Sequence, residues 1–287
     1  MLPVIYIALS NLMELLKSFI YNSMLTPFTK DLYRHFLLKV YEESHLDSNK
    51  NSKIRILDIG IGTGYALKRC LDEFNSNRES DIFNFLSRIE YVGVDINDNY
   101  LADCKKNLKY FDVLLFKVNL MKESERKRSL TDIISGTDTK KNIEEINRFD
   151  YVFFSDSFAV ICPYHGYSRY NLVEYCLRKL CSAKGKVVIC TTLENTVSKF
   201  RQFVKPRIGM ITGVEFGYYT MAEDFIKDMI RSINTNRSII ADSDIIKDMA
   251  IIEERSFPIY GSIQTYICSI VLPDNFRDCK ESDKKNN

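Results

Sequence analysis

Three glycines, Gly60, Gly62 and Gly64, stand between an apolar run and a helix-like pattern in RILDIGIGTGYAL, Arg55 to Leu67. Glycine loses more backbone entropy on folding than any other residue, so a cluster marks a tight turn or a close approach to the backbone. The run before it, IRILDIG, reads as a buried strand, and YALKRCLDEF after it has helical spacing. Strand, glycine turn and helix form the opening unit of an α/β sheet. In such a sheet ligands bind at the carboxyl ends of the strands.

The same alternation continues. IEYVGVDI reads as a second strand and NDNYLADCKKNLKYF as a helix; VLLFKVN is a third strand, and RFDYVFFSDSF contains a fourth. RYNLVEYCLRKLCSA reads as a helix, GKVVICTTL as a fifth strand and MAEDFIKDMIRSI as another helix. DMAIIEERSF and SIQTYICSIVL are two closing strands with no helix between them. Alternation of this kind predicts a mostly parallel sheet covered on both faces, and the closing pair predicts an antiparallel edge. Two polar stretches, NSNRESD near residues 75–81 and a longer one near 121–147, read as insertions in the connections.

The glycines exclude two common ligand loops. A dinucleotide fingerprint beginning at Gly60 needs glycine at position 65, where Tyr65 stands, and a P-loop needs a Gly-Lys-Ser/Thr ending that is absent. The pattern present is D-x-G-x-G-x-G, with Asp58 at the strand end. The second strand ends in Asp95, a carboxylate able to accept both hydroxyls of a ribose. Asp58 and the first helix's amino end suit an ammonium and a carboxylate. A ligand with adenosine at one end and an amino acid at the other fits this arrangement better than a dinucleotide does.

Composition narrows the rest. Net charge is +2, so no broad nucleic-acid footprint is expected. Eight cysteines without a CxxC pair fit reduced, buried thiols and a cytoplasmic location, and no metal-ligand cluster is apparent. Residues 1–50 read as a helical extension, 51–272 as the main domain and 273–287 as a polar tail. Within the extension, Leu2 to Ile20 is apolar, but Ser10, Asn11, Glu14, Lys17 and Ser18 recur on one helical face. Spanning a membrane would bury Glu14 and Lys17 in lipid. A helix packed on the domain or covering a pocket is the first expectation; peripheral membrane contact through residues 2–25 is the second. TPFTKDLYRHFLLKVY follows as another helix, with Phe28, Leu32, Phe36 and Val40 as its apolar stripe and its end near Glu43.

From Ile54 to about Leu193 the chain resembles the class I S-adenosylmethionine-dependent methyltransferases. LDIGIGTG is similar to their first motif, VGVDIN to their second-strand acid, FDYVFFSDSF to their fourth-strand motif and AKGKVVICTTL to their fifth strand. The resemblance implies a Rossmann-like, seven-stranded sheet, mostly parallel with an antiparallel edge and helices on both faces. It implies S-adenosylmethionine as cofactor. Asp58, Gly60, Gly62 and Gly64 would surround its methionine part, Asp95 would bind the ribose and Ile96 would pack near the adenine. Asn119 stands where the family usually has an acid for the adenine amino group, and an amide oxygen accepts the same hydrogen bond.

Methyl transfer is an in-line displacement that needs an aligned nucleophile and, for some acceptors, a base. The acceptor should lie past the fourth strand, beside Ser155, Asp156 and Ser157. The next loop, CPYHGYSRY, supplies Tyr164 and His165, one of three histidines in the chain. Asp156, Tyr164 and His165 are the catalytic candidates. The family's Asn-Pro-Pro-Tyr signature for methylating amino groups of bases is replaced by SDSF, which disfavours a nucleic-acid acceptor. The glycine-rich stretch Phe203 to Thr220 and the apolar amino-terminal helices suggest a covered pocket for a small or lipid-like acceptor. The alternative is a non-catalytic methyltransferase-like module that acts through protein partners. The oligomeric state is not legible in the sequence.

Overall fold

The computed structural model describes residues 26–46, 52–76, 81–120, 148–155, 157, 172–192, 250–260 and 263–271. The helix expected over Leu2–Ile20, the insertion near 121–147, the stretch 203–220, the helix MAEDFIKDMIRSI and the polar tail lie outside the described residues, as do Asp156, Tyr164 and His165.

Seven strands form one sheet: β1 (Ile54–Ile59), β2 (Ile89–Asp95), β3 (Val113–Lys117), β4 (Phe149–Ser155), β5 (Cys181–Thr192), β6 (Ala250–Tyr260) and β7 (Ile263–Val271). Their spatial order is β3-β2-β1-β4-β5-β7-β6. The first five run parallel. β7 pairs antiparallel with both β5 and β6. The closing edge is therefore a hairpin whose second strand lies inside the sheet, and β7 alone runs against the others. β1 is buried along its whole length, which is why it is mostly aliphatic and lacks a polar/apolar alternation.

Helix α1 (Thr26–Leu46) precedes the sheet. Helix α2 (Tyr65–Ser76) follows the glycine turn and buries Leu67, Cys70, Leu71 and Phe74, a stripe at helical spacing. A short helix, α3 (Asp81–Leu86), follows the polar stretch NSNRESD in the connection to β2, where the sequence reading assigns no element. Its Phe85 is buried and meets Tyr41 of α1 edge-on, so this addition to the connection is anchored to the core. Helix α4 (Asp98–Asn107) starts from an Asn97 cap whose side chain accepts from the amides of Asn99 and Tyr100.

Of the expected stripe on α1, Leu32, Phe36 and Val40 are fully buried, and the Phe28 side chain lies outside the described ones. Phe36 stacks on Phe153 of β4, with ring centroids 3.9 Å apart and planes 4° from parallel. Tyr33 meets the same ring edge-on at 5.5 Å. Ion pairs add to this docking: Lys30 reaches Glu73 of α2 at 2.9 Å, and Glu43 accepts from Lys186 of β5 at 2.9 Å and from Tyr151 at 2.5 Å. The amphipathic helix thus lies across the face formed by β1 and β4.

One boundary differs from its sequence reading. The helical segment over 172–180 ends in a π-helical turn, Cys176–Leu180, and β5 begins directly at Cys181, several residues earlier than GKVVICTTL suggested. The register between β4 and β5 shifts there, from Phe149 opposite Cys181 to Tyr151 opposite Lys186. The extra residues form a bulge, and a side chain on Gly185 would strike the Phe149 carbonyl oxygen at 2.6 Å.

Candidate functional site

The chain builds outward from β1 to β2 and β3, then crosses back to β4 on the other side of β1. This reversal opens a crevice at the carboxyl end of β1, the position where doubly wound sheets bind ligands. The glycine turn sits in it. Gly60, Gly62 and Gly64 have φ of 80°, 60° and 64°, a region that other residues enter only under strain. Gly64 has a second constraint: a Cβ there would lie 2.5 Å from the Cys104 sulfur. Burial pushes the Cys104 thiol up to about 12, so it serves as a small apolar atom against which the turn packs.

The turn is stitched to its neighbours. The amides of Gly60 and Ile61 donate to the Val94 carbonyl at 2.8 and 3.2 Å. The Asn107 side chain donates from α4 to the Thr63 carbonyl at 2.9 Å. From the other flank, Ser157 Oγ donates to the Ile59 carbonyl. β2, α4 and the segment after β4 therefore all fix the backbone path of the turn.

Two carboxylates flank it. Asp95 is held by backbone amides: Gly62 N donates to Oδ2 at 3.0 Å and Asn97 N donates to Oδ1 at 2.9 Å. Burial raises its pKa, and these amides oppose the rise. Asp58 is fully buried. Tyr33 Oη donates to its Oδ2 at 2.7 Å and Tyr91 Oη to the same atom at 2.9 Å, while Oδ1 is buried without a partner. Burial pushes the Asp58 carboxyl up to about 7, against the pull of the two hydroxyls, with the nearby charge of Asp95 adding to the rise.

Of the seven residues expected at the cofactor end, the structure joins Asp58, the three glycines and Asp95 at the turn, and Ile96 and Asn119 follow the ends of β2 and β3. Asp58, Gly60, Gly62 and Gly64 form the turn and its base. Asp95 closes β2, and Ile96 beside it is 57% exposed. Asn119 lies two residues past Lys117, which pairs with Asp95 in the sheet register. Thr29, Tyr33, Gly60, Gly64, Tyr65 and Ser155 line a cleft above the turn. Ser155 ends β4, is buried and has an unpartnered hydroxyl.

Tyr33 and Tyr91 were not singled out in the sequence. Tyr33 shares a helix face with Phe36 and Val40, at steps of three and four residues, so its burial was readable. Tyr91 opens the buried stretch Tyr91–Val94 of β2, where a tyrosine hydroxyl needs a partner. Neither signal names Asp58 as that partner. Among the described residues, no group of His, Cys, Asp or Glu is arranged to hold a metal, and no helix is long and apolar enough to cross a membrane.

No protein-family model matches the chain. It is 22% identical over 241 residues to a malonyl-[acyl-carrier protein] O-methyltransferase of Acetivibrio thermocellus, a match spanning 79% of this chain and 81% of that protein. Among solved structures it is similar to the DszA carbon methyltransferase, with a TM-score of 0.50 and 14% identity over 90% of this chain and 57% of that one. It also matches LepI in complex with S-adenosylmethionine, with a TM-score of 0.44 and 10% identity over 81% of this chain and 46% of that one. The chain thus spans about half the length of these solved structures. The strand order and the glycine motif closing β1 agree with the resemblance read in the sequence, and the chain is similar to a curated methyltransferase.

Proposed function

We propose that the protein transfers the methyl group of S-adenosylmethionine to a small-molecule or lipid-like acceptor. The observation that carries this reading is the pair of carboxylates at the ends of adjacent strands, with the glycine turn between them and an exposed Ile96 beside Asp95. The residues fit the cofactor. Asp95 is fixed by two amides and retains lone pairs for ribose hydroxyls. Ile96 offers an apolar face to an adenine, and Asn119 an amide for its edge. The unpartnered Oδ1 of Asp58 meets the need of an ammonium for a buried acceptor. The positive-φ glycines let a ligand approach the backbone without a side chain intervening.

When bound, the cofactor supplies an electrophilic methyl on a sulfonium. The chain's own part is to align the acceptor behind that carbon and to hold or take its proton. Ser155 places a hydroxyl at the cleft wall. Asp156, Tyr164 and His165 follow in the next segment of sequence and are the candidates for binding and deprotonating the acceptor. The curated O-methyltransferase likeness supports an oxygen acceptor on a small molecule.

Calorimetric titration with S-adenosylhomocysteine tests the cofactor reading. Micromolar binding that weakens in Asp95→Ala supports it. A folded protein that ignores the ligand moves the assignment to the non-catalytic, partner-binding alternative. For the catalytic candidates, His165→Ala should lower kcat without changing S-adenosylhomocysteine affinity; an unchanged kcat removes it from the reaction.

A further inference from the structure

Asp58 is bound unevenly. Both hydroxyl donors, Tyr33 and Tyr91, address Oδ2, and Oδ1 receives none. A buried carboxylate oxygen without a donor is costly unless a ligand completes it. The two donors come from different layers of the molecule. Tyr91 belongs to β2 and is part of the sheet. Tyr33 belongs to α1, reaches across from outside the sheet, and lines the cleft together with Thr29 of the same helix. The remaining titratable groups coupled to Asp58 are Asp95 on β2, which opposes its ionisation, and the Cys104 thiol on α4.

We propose that Tyr33 and Tyr91 are positioning residues that orient Asp58 so that its Oδ1 receives the ligand ammonium, and that docking of α1 on the sheet thereby completes the amino-acid half of the cofactor site. The proposal rests on the cofactor reading above. Its physical basis is geometric. With Oδ2 tied on two sides, rotation about the carboxylate axis is blocked, and the one remaining acceptor has a fixed place. If α1 lifts, Phe36 leaves Phe153, Lys30 leaves Glu73 and the Tyr33 hydroxyl leaves Asp58 together. The ammonium site and the helical cover are then one cooperative unit. Ligands that present an ammonium select the docked helix; adenosine derivatives without one do not sense it.

The experiment compares two probes on the full chain: S-adenosylhomocysteine, which carries the amino-acid end, and methylthioadenosine, which lacks it. Affinities are measured from about pH 6 to about pH 9, a range that brackets the carboxyl's titration. For the unmodified protein, S-adenosylhomocysteine should bind more tightly as pH rises toward neutrality, with proton release on binding; methylthioadenosine should show neither. Tyr33→Phe and Tyr91→Phe keep the rings. Each should weaken S-adenosylhomocysteine about tenfold, as for a hydrogen bond to a charged group. Each should also move the pH at which its affinity levels off upward, and leave methylthioadenosine unchanged. A mere packing role would not move that pH profile.

Methylthioadenosine also reports whether a variant's site is folded; if one variant loses it, the other decides. Unchanged S-adenosylhomocysteine affinity and pH profile in the folded variants overturn the proposal and leave the cofactor reading intact. In the unmodified protein, identical pH dependence for the two probes overturns it as well. Failure of both probes to bind the unmodified protein overturns the proposal together with the cofactor reading.

Discussion

Asp58 and Asp95 stand at the carboxyl ends of neighbouring parallel strands, and burial raises the pKa of both, yet they are held by different kinds of donor. Asp95 is held by rigid backbone amides and lies half-buried at the end of β2. Asp58 is fully buried, held by two side-chain hydroxyls, one of them from a helix outside the sheet. Backbone donors cannot be lost without unfolding the turn; side-chain donors depart when their helix departs. The contrast teaches that one half of the proposed cofactor site is built into the sheet, whereas the other takes a donor from a helix packed on it. It also teaches that burial decides charge: Asp58, with hydroxyl donors alone against complete desolvation, titrates near 7.

The largest expected break in this contrast comes from the turn that both acids share. Gly64→Val adds a branched side chain at φ 64° and against the Cys104 sulfur. It should cost about 3 kcal/mol of stability, combining backbone strain with overpacking, as measured by urea unfolding. A cost below about 1 kcal/mol would mean that the turn relaxes freely and does not fix either acid. Next is the sheet-borne half. Asp95→Ala should weaken S-adenosylhomocysteine by about 1.5–3 kcal/mol, or roughly 10- to 150-fold. Unchanged affinity removes Asp95 from the site.

The cover-dependent half is sharpened by Asp58→Asn. The folded protein retains the Asp58 proton up to about 7, whereas an unfolded chain releases it near the ordinary carboxylate value of 3.8. Between those limits the native state binds more protons, so this group's contribution to stability is full at low pH and is lost as pH rises to 7. Asp58→Asn should flatten that decline in a pH series of thermal melts, and should change stability by no more than about 1 kcal/mol at the acid end. A decline of unchanged slope would assign it to other groups. The smallest effect belongs to the rim: Ile96→Ser should lower S-adenosylhomocysteine affinity about threefold and leave stability within about 0.5 kcal/mol, as for an exposed side chain. A large loss of stability would show that Ile96 is a packing residue and not a ligand contact.

Most of the sheet was legible because its strands are continuous apolar runs separated by amphipathic helices, a pattern with few competing solutions. The glycine turn was legible because positive φ leaves almost no other residue type acceptable. What escaped the sequence depends on distance in three dimensions. The early start of β5 is a bulge fixed by contact with Phe149, and α3 is anchored by Tyr41. Tyr33 and Asp58 are 25 positions apart, and nothing local to either records the pairing. The stripe on α1 predicted that the helix would pack, and its placement on Phe153 emerges only from the assembled sheet.

The sheet's closing hairpin has a consequence for how the molecule is made. Among the described strands β7 is the last in chain order, but it lies between β5 and β6. Until it docks, β5 presents a bare row of amides and carbonyls along Val187–Thr192, the register that β7 later occupies. Such a row is a template for any other extended chain, including a second nascent copy. On the ribosome the five parallel strands are therefore complete well before their vulnerable flank is sealed. β6, although synthesised first, must wait as half of a hairpin for the strand that carries it into place.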